Sequence, residues 1–160
     1  MRMNKEHWKT YAFWIGLSEV VGFLSGWLSR EGTAIYNQAV IQPPLSPPSW
    51  VFPLVWTFLY GLMGISAARI STAKQSPQRS IGLNFFIAQL VVNFFWSLIF
   101  FNAQAYSFAL LWLLLLWGLV LWMILIFHQT DPTAAYLQIP YLLWLTFAAY
   151  LNMGVALLNP

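Results

Sequence analysis

The sequence predicts an all-α integral membrane protein, a bundle of five transmembrane helices, and three observations carry that prediction. First, 60% of the 160 residues are hydrophobic and only 7% are charged, against roughly 25% charged in an ordinary soluble domain. Seven basic and four acidic side chains cannot cover a water-soluble globule of this size, so lipid must be the main solvent. Second, the apolar residues gather in five stretches, each about as long as the ~20 residues that span a bilayer core. Third, those stretches are runs of Leu, Phe and Trp without the two-residue alternation of barrel strands.

The five spans fall at about 10–29, 50–70, 81–101, 105–127 and 133–158, in a single domain covering 1–160. The first follows a basic segment and resembles a signal peptide. It is too long for one, carries Glu19 inside it and ends in no small-x-small cleavage site, so it reads as helix one. The joint at 30–49 is unusual, because Pro43, Pro44, Pro47 and Pro48 fall within six residues. Proline fixes φ and opposes helix, which predicts a stiff extended connector that could act as a lid. Pro53 and Pro132 fall in first helical turns, where a missing N–H costs little. Helix four, nearly pure Leu and Trp from Leu110 to Leu121, suits a lipid-facing role with interfacial anchors.

Charge and composition exclude several functions. The net charge of +3 forms no patch interleaved with aromatics, which argues against nucleic acid as a partner. No cysteine is present, so disulfides and thiol chemistry are absent. No carboxylate pair, phosphate-binding glycine loop, Ser–His–Asp set or metal-ligand cluster appears, and His128 beside Asp131 reads as a solvated loop pair. Arg2, Lys5, Lys9, Arg69, Lys74 and Arg79 fall on one side of a five-span topology, with only Arg30 on the other. The positive-inside rule then puts the N-terminus in the cytoplasm and the C-terminus outside.

Polar residues inside a bilayer tend to face protein or a cavity, so their spacing is informative. On helix three, Gln89, Asn93, Trp96 and Phe100 share one face; on helix five, Tyr141, Trp144, Ala148 and Asn152 do; on helix two, Trp56, Tyr60 and Met63 do. Facing inward, these stripes would line a pocket for a flat, greasy ligand. The other reading is ordinary packing, with interhelical amide bonds worth about 0.6 kcal/mol each. Helix one carries Gly16, Glu19, Gly22 and Gly26 on one face, and Gly22-x-x-x-Gly26 suits close helix approach, within the chain or between two copies. Glu19, the only acid near a membrane midplane, reads as a packing residue in preference to a proton or ligand group.

The segment Pro47-Pro48-Ser49-Trp50-Val51-Phe52-Pro53-Leu54-Val55-Trp56-Thr57-Phe58-Leu59-Tyr60 resembles the TspO/translocator protein family, also called the tryptophan-rich sensory protein or peripheral-type benzodiazepine receptor family. Gln89-Leu90-Val91-Val92-Asn93-Phe94-Phe95-Trp96 with Phe100-Phe101, then Pro140-Tyr141-Leu142-Leu143-Trp144 and Leu151-Asn152, follow in family order. The resemblance covers about residues 10–155. It implies a five-helix bundle, often a homodimer, in a bacterial cytoplasmic membrane, that binds protoporphyrin IX or a heme-like tetrapyrrole beneath the first loop and requires no other cofactor. Trp56 and Trp144 match tryptophans that line the family's site and are tied to light-dependent porphyrin breakdown. Tyr60, Asn93, Trp96 and Ala148 match other cavity positions, and Tyr36, Gln89 and Phe108 complete the expected ligand-binding set. Tyr36 stands where the family has a Trp-Tyr pair over the ligand. Gln42 and Leu45 replace a Lys and a Trp there, which removes a cationic contact to a porphyrin carboxylate. Near the C-terminus, Met153 and the lack of basic residues after Arg79 remove the family's cholesterol-recognition pattern. The function expected is a membrane tetrapyrrole sensor or regulator. The alternatives are a carrier of porphyrin or another lipophile, and a scaffold acting through a protein partner.

Overall fold

The computed structural model describes residues 5–160; Arg2, one of the basic residues counted for orientation, lies outside them. Among the described residues the elements are α1 (His7–Leu28), α2 (Arg30–Ala39), α3 (Val51–Thr72), α4 (Pro77–Ser97), a π turn (Leu98–Asn102), α5 (Tyr106–Thr130), α6 (Pro132–Leu137) and α7 (Ile139–Leu158). Five runs are long and apolar enough to cross a membrane: α1, α3, α4 with its π turn, α5, and α6 with α7. The protein is thus an integral membrane bundle of five spans, as its composition requires.

Local chemistry sets the helix ends. Ser76 caps α4 by accepting from the Arg79 backbone N–H at 3.1 Å, with Pro77 at the first position. Asp131 caps α6 in the same way, accepting from Thr133 N–H at 2.9 Å just before Pro132. The Arg79 guanidinium donates to the carbonyls of Ser71 and Ile70, satisfying the C-terminal end of α3. Arg69 pairs with Asp131 at 2.8 Å, so Asp131 is engaged by a cap and an ion pair and is no free loop partner for His128. These contacts bring the α3–α4 and α5–α6 turns to one end of the bundle. The start of α1, antiparallel to α3, joins them there. That basic end carries Lys5, Lys9, Arg69, Lys74 and Arg79. The opposite end carries α2, the proline segment and the end of α7.

Four local features depart from expectation. The first half of the 30–49 joint is a helix, α2, because Gly32 and Tyr36 give it a face to bury. A Cβ on Gly32 would lie 2.5 Å from the Phe101 carbonyl oxygen, so α2 sits hard against the π turn. Only the proline half is extended, and it is pinned: Tyr150 donates to the Pro44 carbonyl at 2.7 Å, and the Asn159 amide bonds both Ile41 N–H and Ile41 C=O. Second, α4 ends in a π turn, with Ala103 N–H on the Leu98 carbonyl at 2.9 Å. Third, the last span breaks between Leu137 and Ile139. Pro140 has no N–H to continue the ladder, and the chain shifts at Gln138 (φ −90°, ψ −11°).

The fourth concerns α5, which is more than a lipid-facing helix. Ala109, Leu113, Leu116, Val120, Met123 and Phe127 form one buried face against α4, α6 and α7. In a run of nearly uniform leucine that face has no compositional contrast to reveal it. Trp112 and Trp117 also serve packing, donating to the Val92 carbonyl at 2.7 Å and to Thr146 Oγ1 at 2.9 Å, while Trp122 is exposed.

Candidate ligand-binding cavity

The three polar–aromatic stripes converge, and each divides at the same depth. Their halves near the basic end pack solidly. Tyr141 donates to Gln89 Oε1 at 2.8 Å, and Gln89 Nε2 lies 3.9 Å from the Met63 sulfur, all fully buried. Their other halves stand apart and enclose a cavity of about 700 Å³ beneath α2, within the range of about 300–1,000 Å³ typical of small-molecule sites. Trp56 and Tyr60 of α3, Asn93 and Trp96 of α4, Phe100 of the π turn, and Trp144, Ala148 and Asn152 of α7 line it.

The aromatic walls hold one another at edges and faces. Trp56 meets Trp144 edge-to-face with centroids 6.5 Å apart, and Tyr60 at 5.6 Å. Trp96 stacks on Phe100 at 5.1 Å. Such pairs fix ring orientation beyond what burial alone would do. Polar groups are few, and most are spent on positioning. Asn93 Nδ2 donates to the Tyr60 hydroxyl at 3.1 Å, and Trp96 Nε1 donates to Asn152 Oδ1 at 3.2 Å. Asn152 Nδ2 is in turn bound to the Tyr106 carbonyl at 2.8 Å. The walls therefore offer flat apolar surface with little hydrogen-bonding demand.

α2 and the π turn roof the cavity. Tyr36 is buried there against Phe100 and Phe101, at 5.5 and 5.3 Å. Burial, with a smaller contribution from Tyr106, pushes the Tyr36 hydroxyl up to about 12, so it stays neutral at physiological pH. Two expected residues lie elsewhere. Gln89 sits behind the wall in the packed half, and Phe108 is 54% exposed, flanking a small depression near the C-terminus with Gln104 and Pro160. Phe108 follows the joint at 103–105, so its side chain falls on the outside of α5.

The α1 wall comes as a correction. Glu19, Gly22, Phe23, Gly26, Trp27 and Arg30 all line the cavity. The tight α1–α3 approach is made by Gly22, where a Cβ would lie 2.3 Å from the Tyr60 ring, and by Gly64, where one would lie 2.4 Å from Ile15 Cα. Gly26 faces open space, so Gly22-x-x-x-Gly26 is not a paired packing motif within this chain. Phe23 and Trp27 line the cavity yet remain 71% and 51% exposed, so this wall is one side chain thick. Phe52, one turn before Trp56, and Phe101 also line the cavity. The helical spacing of Phe52 from Trp56 was a signal for it, and the α1 stripe carries the same period.

Among the described residues no group of three or more His, Cys, Asp or Glu could hold a metal ion. What the arrangement can do is sequester a flat apolar molecule against oriented indoles.

Comparison with known proteins agrees with this architecture. Residues 14–158 match the TspO/MBR family. The chain is 35% identical to the tryptophan-rich protein TspO of Chlorobaculum tepidum over 99% of its own length and 100% of that protein's. It is 39% identical to the tryptophan-rich sensory protein of Cereibacter sphaeroides, over 74% of this chain and 73% of that one. With the translocator protein of Bos taurus it shares 33% identity, over 85% of this chain and 82% of the other. Spans, aromatic stripes and sequence matches together make this chain a member of the TspO/MBR family.

Proposed function

We propose that the protein is a membrane sensor or regulator that binds a tetrapyrrole of the protoporphyrin class in the cavity beneath α2. The observation that carries this reading is the pair of indoles at Trp56 and Trp144, edge-to-face at 6.5 Å in a wall of otherwise apolar rings. A planar macrocycle gains most from such a wall, because its faces stack while its few polar atoms need little from the protein. The sensory naming of bacterial relatives supports a signalling role over a purely structural one. With light, Trp56 or Trp144 would donate an electron to the excited macrocycle. Dioxygen would add across the ring bond that breaks and supply both oxygen atoms, and the electron would return to the indole radical cation. One macrocycle and one dioxygen thus give one opened ring. The basic end lies in the cytoplasm in this reading, so the cavity faces away from it.

The test is a dark titration of protoporphyrin IX into protein held in nanodiscs, read by tryptophan quenching, then illumination read by porphyrin absorbance. Saturable quenching that weakens in Trp56→Phe and in Trp144→Phe is expected. The double variant should lose photodegradation while keeping its helical signal and melting temperature. Undiminished breakdown in the double variant would contradict the photochemical role, and absent saturable quenching would contradict the ligand.

A carrier reading has one observation in its favour, the thin wall at Phe23 and Trp27, which offers a lipophile a route between cavity and bilayer. Flux of porphyrin into sealed proteoliposomes above protein-free controls would support it.

A further inference from the structure

Glu19 stands out once the cavity is described. Its carboxyl lines the cavity at the depth where the packed half begins, one turn from Gly22 and the Tyr60 ring. Across from it is Gly61, where even a Cβ would lie 3.6 Å from Glu19 Oε1. Among the described residues it accepts no side-chain or backbone hydrogen bond, and the ion pair present is Arg69–Asp131 at the basic end. The other charged side chain lining the cavity, Arg30, is at the far end. It is engaged there with Trp27, by a bond to that carbonyl at 2.8 Å and a guanidinium 4.4 Å from the ring centroid. About ten residues of α1 separate the two, or roughly 15 Å of helical rise. A carboxyl at mid-bilayer depth without a protein partner is costly. Packing does not account for it, since its neighbour is a glycine and its side chain faces space.

We propose that Glu19 is a ligand-binding residue that recognises a basic nitrogen on the inner end of a flat amphiphile, with the Trp56 and Tyr60 rings completing an ammonium site. A carboxylate with aromatic faces beside it is the usual chemistry for a protonated amine, one group supplying a charge-assisted hydrogen bond and the others cation–π contact. Arg30 at the mouth then orients the ligand, favouring an acidic or polar end outward. The inference requires that the cavity be a ligand site and is independent of whether the natural ligand is a tetrapyrrole.

The experiment uses three probes that share the pyrene ring: 1-pyrenemethylamine, its near-isosteric uncharged analogue 1-ethylpyrene, and the longer 1-pyrenebutyrate. Each is titrated by energy transfer from tryptophan into protein in zwitterionic nanodiscs, with empty nanodiscs correcting for partition. The wild type should prefer the amine over the neutral probe by about tenfold, and the amine preference over the acid should depend on Glu19, since the acid can turn its carboxylate toward Arg30 at the mouth. Glu19→Gln and Glu19→Met should erase the amine preference while binding 1-ethylpyrene as the wild type does. Equal affinity for amine and neutral probes in the wild type, or an amine preference that survives both substitutions, would overturn the proposal. Failure of the wild type to bind 1-ethylpyrene would instead count against the cavity as a ligand site.

Discussion

At the residue scale, each stripe residue does one of two jobs, and depth in the membrane decides which. Gln89, Tyr141 and Met63 close the packed half, while Trp56, Tyr60, Asn93, Trp96 and Trp144 face the cavity. Gln138 belongs to neither group. It is fully buried at the α6–α7 break, and among the described residues neither its amide nitrogen nor its oxygen has a partner. A buried amide without partners costs about 1–3 kcal/mol. Gln138→Met, close in volume, is therefore expected to stabilise the protein by about 1 kcal/mol, measurable as a raised midpoint of thermal unfolding in detergent. A lowered midpoint would show that the amide is satisfied. Most of the cavity residues were legible in the sequence because polar and aromatic side chains recurring every three or four positions stand out against aliphatic background. Gln89 and Phe108 were not placed correctly, because period gives a face and says nothing of depth. Phe108 sits beside a joint whose rotation the sequence does not encode.

At the element scale, the close contact of α1 with α3 rests on two glycines at one end and relaxes at the other. Gly64 meets Ile15 backbone and Gly22 meets Tyr60, whereas Gly26 faces open space. Gly64→Ala should force backbone apart and lower stability by about 1–3 kcal/mol, while Gly26→Ala should change it by less than about 0.5 kcal/mol. Equal effects in a thermal series would contradict this asymmetry. The lid makes a second prediction. Asn159 clamps Ile41 through both backbone groups, so Asn159→Ala should speed ligand dissociation by severalfold, about 1 kcal/mol of lost hydrogen bonding, with the melting temperature little changed. An unchanged off-rate in stopped-flow quenching would mean that the proline segment does not gate the cavity. The five spans were legible from length and apolarity. α2 was not, because it is polar on average and forms against the π turn; nor was the buried face of α5, hidden in uniform leucine.

At the scale of the whole molecule, the bundle is asymmetric along its axis. The basic end is solid, capped and ion-paired, and the other end is hollow under a roof of α2 and the π turn. This asymmetry makes orientation testable, because a chain without cysteine accepts single reporters. Leu45→Cys, 81% exposed in the proline segment at the hollow end, should label from outside intact cells with a membrane-impermeant maleimide. Lys74→Cys at the basic end should label only after lysis. The reverse pattern would invert the topology. Fold class and family were legible at this scale, since composition and motif order need no packing detail. The hollow itself was only half legible, because its α1 wall is made of glycines and bulky residues that read equally well as lipid contact.

The central claim, that converging stripes form the ligand site, is tested most directly by filling the cavity from a position that contributes no ring or polar group. Ala148 lines it with a methyl group alone, and Gly118 on α5 faces open space outside it. Protoporphyrin IX titrations of Ala148→Phe and Gly118→Phe in nanodiscs, with melting curves alongside, decide the matter. The account predicts that Ala148→Phe remains folded and loses about tenfold or more in affinity, the scale of a steric block in a packed site, while Gly118→Phe binds as the wild type. Unchanged binding by a folded Ala148→Phe would contradict it.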